Sequence, residues 1–409
     1  MKRVLLAVVC ALALAPTAAA KDADVRFATF NASLNRPVAG QLVSDLSNPA
    51  STSVFVRQAK NVAEVIQRVR PDVLLINEYD FAPPAVDLFR TNFLEVSQSG
   101  AEPIHYPYAY IAPSNTGIHS GFDLNNFGGI VSTPGAPGYG DDAFGFGAFP
   151  GQFGMVVYSK YAIDTANVRT FQLFRWRDMP GHLIPTPFYS PEEVAILRLS
   201  SKSHWDLPIV IGKKTVHFLV SHPTPPVFDG PEDRNGRRNN DEIRFWADYI
   251  SPGRSGYIYD DQGGAGGLKP GELFVIAGDQ NSDPLDGDSI PGAIQQLLEH
   301  PLVNNKVSPE SAGAVEATAL QGGANATHRS DPRFDTADFA DGAPGNLRAD
   351  YVLPRKTLQI VGSGVFWPVQ SDPLFRLTGV FSFPLWGPVG GFPTSDHRSV
   401  WVDVTVPTE

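Results

Sequence analysis

Runs of apolar residues predict a series of strands along the chain. Val25 to Asn31 alternates bulky and small residues, and Asp72 to Ile76 is almost continuously apolar, as in a strand buried on both faces. The same reasoning predicts the strands Met155 to Ser159, Val194 to Leu199, Ile209 to Ile211, Val216 to Ser221, Leu273 to Ala277, Tyr351 to Leu353 and Val400 to Val404.

Helical spacing of apolar residues occurs in three segments. In residues 53–70 the apolar positions recur every three or four residues, and Pro71 ends the pattern. Residues 239–250 show the same spacing, and residues 294–298 predict a short helix. Because the strands outnumber the helices, the pattern favours one domain of sandwiched sheets with outer helices.

Long segments without periodicity separate these elements. Glycine (38) and proline (36) are far above their usual combined share of about 12% in a chain of 409 residues. Residues 100–154 are rich in glycine, proline and aromatic side chains, and either wall a pocket or form a packed surface loop. We also predict loop insertions at residues 223–238 and 308–346, the latter capping a cleft or lying on the surface. We expect all three within one domain spanning residues 21–409.

The first twenty residues resemble a secretory signal peptide. Lys2 and Arg3 precede an apolar run from Val4 to Ala15, which is followed by small residues up to a predicted cleavage site after Ala20. The run is shorter than the ~20 residues that span a membrane, so we expect no stable membrane insertion. It also contains the single cysteine of the chain. The sequence therefore predicts a secreted or periplasmic protein without disulfides.

The charge and composition exclude several classes of protein. A hydrophobic content of 42% excludes a disordered or coiled-coil chain. The formal net charge of -11 is opposite to that of proteins whose affinity comes from neutralising many phosphates. Arg234, Arg237 and Arg238 form a local basic cluster that either binds a phosphorylated substrate or is a solvated turn entering a helix.

Polar residues repeatedly follow the predicted strands. Any one of them alone is typical of a turn or of a solvated surface. Together, strand ends that share one rim of a sheet pair would bring carboxylates, amides and histidines into a cleft suited to metal binding and acid/base chemistry. These residues are Asn31, Glu78, His222, Asp279, Asn281, Asp350, Asp396 and His397.

The local sequences around these residues resemble those of the endonuclease/exonuclease/phosphatase (DNase I-like) superfamily. The resemblance extends from about Val25 to Val404, and its most distinctive element is the closing Ser-Asp-His followed by an apolar strand. The matching segments are FATFN ending at Asn31, PDVLLINE ending at Glu78, GMVVYSKY around Ser159, HFLVSH ending at His222, IAGDQNSDP with Asp279 and Asn281, RADYVL with Asp350, and SDHRSV with Asp396 and His397.

This resemblance implies an α/β fold, a four-layered sandwich of two packed, mainly antiparallel β-sheets with outer helices. It also implies a metal-dependent phosphoesterase site at one edge of the sheets. Glu78 would be the main metal ligand, with Asn31 and Asp396 beside it. Carboxylate and amide ligands suit hard cations, so Mg²⁺ or Mn²⁺ is the expected ion.

The resemblance implies catalytic roles for five further residues. His397, oriented by Asp350, would contact the phosphate or act in acid/base catalysis, and Asp279 would position or deprotonate the attacking water. Asn281 would hold a non-bridging phosphate oxygen, and His222 resembles a histidine found near the leaving oxygen in some branches. The sequence leaves the choice of general base open between Asp279 and His397.

Departures from the superfamily pattern leave the substrate open. Gln280 stands where an apolar residue is frequent, and the loop after His222 is longer and richer in proline and arginine than in many members. The first hypothesis is an exported hydrolase of a small or medium phosphorylated compound, without an obligate protein partner. An extracellular nuclease is the alternative, with the three arginines gripping a nucleic acid. A non-catalytic binding protein is a third, which the retained polar residues disfavour.

Overall fold

A computed structural model describes residues 22–379 and 391–409 of the chain. The predicted signal peptide lies outside these residues. The strands are β1 (Ala23–Leu34), β2 (Val73–Tyr79), β3 (Tyr108–Ile111), β4 (Met155–Ser159), β5 (Ala162–Ile163), β6 (Arg169–Thr170), β7 (His204–Ile211), β8 (Lys214–Ser221), β9 (Leu273–Asp279), β10 (Ala337–Asp338), β11 (Asn346–Leu347), β12 (Asp350–Pro354), β13 (Gln359–Val365) and β14 (Val400–Val406).

The helices are mostly short. They are α1 (Gln41–Ser47), α2 (Val54–Val69), α3 (Pro83–Phe89), α4 (Pro191–Ile196), α5 (Arg234–Tyr249), α6 (Gln295–Leu298) and α7 (Ala312–Gln321). A π-helical turn (Arg90–Leu94) follows α3, and 3₁₀ turns occur at Tyr139–Asp142, Thr165–Asn167, Trp176–Asp178, Ser255–Tyr257, Gly323–Thr327, Pro332–Phe334 and Pro373–Leu377. No helix in the two described ranges is long and apolar enough to cross a bilayer.

Helix α2 shows how local sequence sets the boundaries of an element. The Ser53 side chain accepts a hydrogen bond from the backbone N–H of Val56, which satisfies one of the free donors of the first turn. At the other end Arg70 adopts a left-handed conformation with φ 55°, and Pro71 cannot continue the helix. The apolar stripe between them lies buried against the first sheet.

Two six-stranded sheets form the centre of the fold. The first has the order β13-β14-β1-β2-β4-β3, and the second runs β12-β9-β8-β7-β5 with β6 also paired to β7. Only the pairs β1/β2 and β8/β9 are parallel among the described strands of these sheets. Strands β1, β2, β8 and β9 therefore carry their carboxyl ends to one edge, where the site described below lies.

Three apolar layers hold the sheets and helices together. Between the sheets, the rings of Phe27 and Phe218 lie with centroids 5.5 Å apart, and both residues are fully buried. Burying such a side chain contributes about 1.5–3 kcal/mol. A second cluster packs α1, α2 and α3 on the outer face of the first sheet, and a third packs α5 and α6 on the second sheet. The helix, sheet, sheet, helix order confirms the predicted four-layered sandwich.

Most of the predicted elements are present, with one exception. Strand β4 has the predicted bounds, and α2, α5 and α6 agree to within a few residues. The predicted strand Val194 to Leu199 is wrong, because residues 191–196 form helix α4. Ser190 and Glu193 form a reciprocal capping box and Pro191 occupies the first turn, so the local start signal outweighs the apolar run.

The predicted loop segments contain short elements of their own. In residues 100–154, Tyr139, Phe144 and Phe149 are buried, whereas Phe127 and Phe146 are exposed. The segment 308–346 contributes α7 and the hairpin β10/β11. Ala337 of this hairpin pairs with His397, so the segment lies directly beside one of the predicted site residues.

Candidate active site at the sheet edge

The ends of four strands bring the predicted polar residues together. Asp279 ends β9 and Asp350 begins β12, and the two are register partners in the second sheet. In the first sheet Asn31 of β1 is the register partner of Asn77 of β2, which precedes Glu78. One edge of the sandwich therefore holds carboxylates from both sheets.

Direct hydrogen bonds join the two sheets at this edge. The amide nitrogen of Asn31 donates to Glu78 Oε1 at 3.2 Å and to Asp279 Oδ2 at 3.1 Å. Asn77 Oδ1 accepts from the backbone N–H of Asp279 at 3.2 Å and from the hydroxyl of Thr29 at the same distance. These contacts fix the separation between the Glu78 and Asp279 carboxylates.

His397 and Asp350 form a buried dyad. His397 Nδ1 lies 2.9 Å from Asp350 Oδ2, and the opposite ring nitrogen, Nε2, lies 3.6 Å from Asp279 Oδ2. Thr336 holds Asp350 by donating its hydroxyl to Oδ2 at 2.8 Å and by accepting the backbone N–H of Asp350 at 2.9 Å. The imidazole is thus oriented by one carboxylate and directed at another.

Electrostatics favour a positive charge on His397. Burial alone would lower the pKa of His397, but the carboxylates of Asp350 and Asp279 outweigh it and raise this pKa well above its usual value. Burial raises the pKa of Asp350, because it disfavours the charged carboxylate, and the charge of His397 opposes that change. The dyad therefore retains one proton through neutral pH, and its short hydrogen bond is charge-assisted.

A second histidine, His222, also lies beside Asp279, but its ring is neutral. His222 Nε2 lies 3.4 Å from Asp279 Oδ2. Burial and the nearby charge of Lys202 lower the pKa of His222 to about 4, so the ring is neutral at neutral pH. Burial would raise the pKa of Asp279, but His397, His222 and Asn31 lower it below its usual value. Asp279 is therefore an ionised carboxylate.

Two of the predicted metal ligands, Glu78 and Asp396, are carboxylates whose charges interact. Burial and the Asp396 carboxylate raise the pKa of Glu78 to about 7. Within the part of the chain that the structure describes, neither carboxylate has an ion-pair partner. Another group of described residues, Asp279, Asp350 and His397, has its possible metal-ligand atoms within 4.8 Å of one another. The spacing of these three residues would allow them to hold a metal ion, whereas a proton on His397 would disfavour it.

At the end of β9 the backbone passes very close to the end of β8. Asn281 has a left-handed conformation with φ 50°, and its backbone N–H donates to Asp279 Oδ1 at 2.8 Å. Its side-chain nitrogen donates to the carbonyl of Pro223 at 3.1 Å. Gly278 is required because a Cβ there would meet the carbonyl oxygen of Ser221 at 2.0 Å. Glu78 also has a positive φ of 58°, so backbone strain marks both sheets at this site.

The three predicted substrate-binding arginines have different environments. Arg238 donates to the carbonyls of Phe144, Leu199 and Arg198 at 2.6, 2.8 and 2.9 Å. Nε and Nη2 of Arg238 are thus held by backbone carbonyls, and its contact with substrate stays a prediction.

Arg234 and Arg237 lie near a small cavity instead. Arg234 pairs with Glu232 and lies 5.4 Å from the ring centroid of Phe188, and Arg237 donates to the carbonyl of Glu232 at 3.0 Å. Arg237, Glu232 and residues 184–188 line a cavity of ≈ 270 Å³. In the same helix Asn239 donates to the carbonyl of Gln280 at 2.9 Å, so the start of α5 contacts the Asp279 turn.

Sequence reasoning missed two residues that position the site. Asn77 lies directly before Glu78 at the end of an apolar strand, so its polarity was a visible signal. Thr336 lies in the segment 308–346 and carries no pattern that would connect it to Asp350 before the fold is known.

The sequence model of the Endonuclease/Exonuclease/phosphatase family matches residues 28–397. No curated protein sequence matches the chain. Similar solved structures include an endonuclease/exonuclease/phosphatase from Beutenbergia cavernae DSM 12333, which has 16% identity, a TM-score of 0.48, and coverage of 94% of this chain and 72% of that one. The catalytic domain of human Nocturnin has 12% identity and a TM-score of 0.45, with 94% and 95% covered. Sphingomyelinase C from Streptomyces griseocarneus has 13% identity and a TM-score of 0.43, with 93% and 99% covered.

Proposed function

Because the chain belongs to the endonuclease/exonuclease/phosphatase family, whose members hydrolyse phosphoric esters, we propose that it is a divalent-metal-dependent phosphoesterase acting on a small or medium phosphorylated compound. One observation carries the proposal. The buried His397–Asp350 dyad faces the ionised Asp279 at a sheet edge that also holds Asn31 and Glu78.

The donor set fits a hard divalent cation. Glu78, Asn31 and Asp396 would hold the cation, because two carboxylates without basic partners and an amide match the oxygen ligands that Mg²⁺ and Mn²⁺ prefer. The raised pKa of Glu78 marks uncompensated negative charge that a cation would neutralise. When bound, the cation would polarise a phosphoryl oxygen and neutralise charge on the leaving group.

The protonation states assign roles to Asp279 and His397. Asp279 is ionised and can accept a proton from the water that attacks phosphorus in line. His397 already carries a proton, so it would donate a charge-assisted hydrogen bond to a non-bridging phosphate oxygen. This division of roles makes Asp279 the general base and His397 the electrostatic partner.

Asn281 and His222 complete the proposed site. The backbone N–H of Asn281 donates to Asp279, and the side-chain N–H that does not bond the Pro223 carbonyl would hold a second non-bridging oxygen. His222 is neutral, and its Nδ1 has no hydrogen-bond partner within the described residues. A neutral imidazole beside Asp279 would accept or donate one hydrogen bond near the leaving oxygen.

The surroundings of the site favour a small or medium substrate. The cavity lined by Arg237 and residues 184–188 lies next to the helix that contacts the Asp279 turn, and it would take the leaving group. Arg237 at this cavity suits a phosphorylated compound, whereas the net charge of -11 opposes extended contact with nucleic acid.

The test is hydrolysis of four esters by the purified chain. They are p-nitrophenyl phosphate, bis(p-nitrophenyl) phosphate, plasmid DNA and a lipid phosphodiester, each with Mg²⁺ and with EDTA. We expect EDTA to abolish turnover and His397→Ala to reduce it by about 10²–10⁴-fold. His105→Ala, at an exposed histidine paired with Glu95, is the matched control and should leave turnover unchanged.

Other outcomes would redirect the proposal. Turnover that survives both EDTA and His397→Ala would contradict it. Degradation of DNA that falls steeply with salt, without turnover of the small esters, would identify a nuclease.

We also propose that the protein is exported, which is supported by the N-terminal sequence pattern. Mass spectrometry of the chain after expression in a bacterium with a secretion pathway should show that it begins at Lys21. A chain that keeps its first twenty residues and remains in the cytoplasm would contradict this.

A further inference from the structure

Lys202 is a buried basic residue beside the site. It was not among the predicted site residues, and the proposed mechanism gives it no role. It lies just before β7 and is 7% exposed. Its backbone carbonyl accepts from the N–H of Asn115 at 2.8 Å. The preceding residue, Ser201, donates its backbone N–H to Glu242 at 2.6 Å and its hydroxyl to the carbonyl of His222 at 3.4 Å. The backbone that carries Lys202 is therefore fixed beside His222.

The charge of Lys202 interacts with the predicted site residues. Burial lowers the pKa of Lys202, and the carboxylates of Glu242, Glu78 and Asp279 act against that change. In return the charge of Lys202 is the main neighbouring charge that lowers the pKa of His222. Lys202 is therefore close enough to the site for its charge to act on residues of both sheets.

This ammonium has no direct partner within the described residues. No hydrogen bond or ion pair joins Lys202 to Glu242, whose two carboxylate oxygens accept the backbone N–H groups of Ser201 and Thr224, each at 2.6 Å. The more deeply buried cations of the chain are paired instead. Arg36 lies 2.8 Å from Asp45, and Arg398 lies 2.9 Å from Asp338.

An unpaired buried cation is costly unless an anion joins it. Desolvating an ammonium is compensated only by a close counter-charge and hydrogen bonds. A substrate phosphate in this site would bring that anion, with oxygens able to accept the three N–H donors of a lysine. Lysine suits this role because its compact charge needs no particular planar geometry.

We propose that Lys202 is a catalytic residue whose ammonium binds a non-bridging oxygen of the substrate phosphate. The inference rests on the proposed phosphoesterase function and adds a fixed cation to its site. As charge develops on the phosphoryl oxygens during in-line attack, a cation already in place stabilises the transition state without reorganisation. The ammonium keeps its proton throughout.

The experiment compares Lys202→Met with Glu242→Gln. Lys202→Met keeps the length of the side chain without its charge, and Glu242→Gln removes the carboxylate whose field acts most strongly on Lys202. Inorganic phosphate is titrated calorimetrically into each Mg²⁺-loaded protein, and kcat and KM are measured with the two nitrophenyl esters. Thermal unfolding of each variant monitors the fold.

We expect Lys202→Met to weaken phosphate binding by at least tenfold and to lower kcat by about 10²–10³-fold, the loss typical of one transition-state donor. Lys202→Arg should recover part of both. Folded Glu242→Gln should lose less phosphate affinity than Lys202→Met. Unchanged phosphate affinity in Lys202→Met would overturn the proposal. Equal losses of affinity in Lys202→Met and Glu242→Gln would also overturn it, because they would reveal a structural ion pair.

Lys202 can also be tested if the variant does not fold or if the protein hydrolyses none of the esters. If Lys202→Met does not fold, [¹⁵N]lysine NMR of the wild-type protein replaces it. Inorganic phosphate should then shift one ammonium signal, assigned by its absence in Lys202→Arg, and no shift would overturn the proposal. If the wild-type protein hydrolyses none of the esters, the proposed function fails, while the phosphate titration still decides whether Lys202 binds phosphate.

Discussion

Replacing Asp350 with asparagine should lower the pKa of His397. The substitution keeps the shape of the side chain and an oxygen that can accept from His397 Nδ1 at 2.9 Å, but it removes the negative charge. A hydrogen bond involving a charged group contributes about 1.5–3 kcal/mol, against about 0.5–1.5 kcal/mol for a neutral pair. The expected loss is therefore about 1.5 kcal/mol. Because one pKa unit corresponds to about 1.4 kcal/mol, the pKa of His397 should fall by about one unit.

The direction of the pH effect follows from the proposed role of His397. The protonated ring stabilises the phosphate, so activity falls as the pH rises through the pKa of His397. In Asp350→Asn this alkaline limb of kcat/KM should move to lower pH by about one unit. NMR titration of [¹⁵N]histidine, with the signal assigned by His397→Gln, measures the same change without any substrate.

Asp338→Asn is the matched control for this prediction. Asp338 is also buried, but its carboxylate pairs with Arg398 at 2.9 Å and with Gln321. Among the described residues no hydrogen bond or ion pair joins its side chain to His397. The control should leave the alkaline limb in place. An unchanged NMR pKa of His397 in Asp350→Asn would refute the reasoning, as would an equal shift in Asp338→Asn.

Three other perturbations test the geometry of the site. Asn77→Ala removes the amide that joins the sheets, so the free energy of unfolding in urea should fall by about 1–3 kcal/mol. Gly278→Ala places a methyl group 2.0 Å from a backbone carbonyl oxygen at a φ of +146°, so the urea midpoint should fall by an amount equivalent to about 1–3 kcal/mol or more. The affinity for Mg²⁺ should rise as the pH increases through about 7, because a proton on Glu78 competes with the cation, and calorimetry across this range measures the change.

Each of these predictions has a clear contrary result. A wild-type urea midpoint in Asn77→Ala would show that the sheets do not depend on this amide. Thr29→Ala serves as its control because it removes only one of the three hydrogen-bond partners of the Asn77 side chain. A stable Gly278→Ala protein would contradict the close approach of β8 and β9. A Mg²⁺ affinity that does not vary with pH in the wild-type protein would show that Glu78 does not bind the cation.

The fold was predicted well where the apolar pattern and the end signals agreed. Helix α2 has its capping serine, its apolar stripe and its terminating proline in agreement, and its bounds were correct to within one residue. At residues 191–196 the apolar pattern indicated a strand, but the capping box started a helix. Strand β13 was missed because it is partly exposed and contains two glycines, so it has little apolar signal of its own.

The site was predicted through motifs and not through contacts. Each of the strand-end residues was named from its local sequence, and the structure places Asn31, Glu78, Asp279, Asp350 and His397 at one edge. Their roles stay predictions until they are tested. The contacts of Arg238 with distant backbone carbonyls were not predicted, because the local sequence does not reveal them.

The sequence by itself determined the alternation of strands and helices, the polar residues at strand ends and the family to which the chain belongs, because these depend on local periodicity and short motifs. Only the tertiary structure decided which of these residues touch. The contact of Asn77 with Asp279 spans 202 positions, and the protonation of His397 depends on two carboxylates from other strands. Lys202 shows the same dependence, because an isolated lysine in a sequence is unremarkable until the fold buries it without a partner. Hydrogen bonds and charges act through space, so the chemistry of the site follows from the packing of the two sheets.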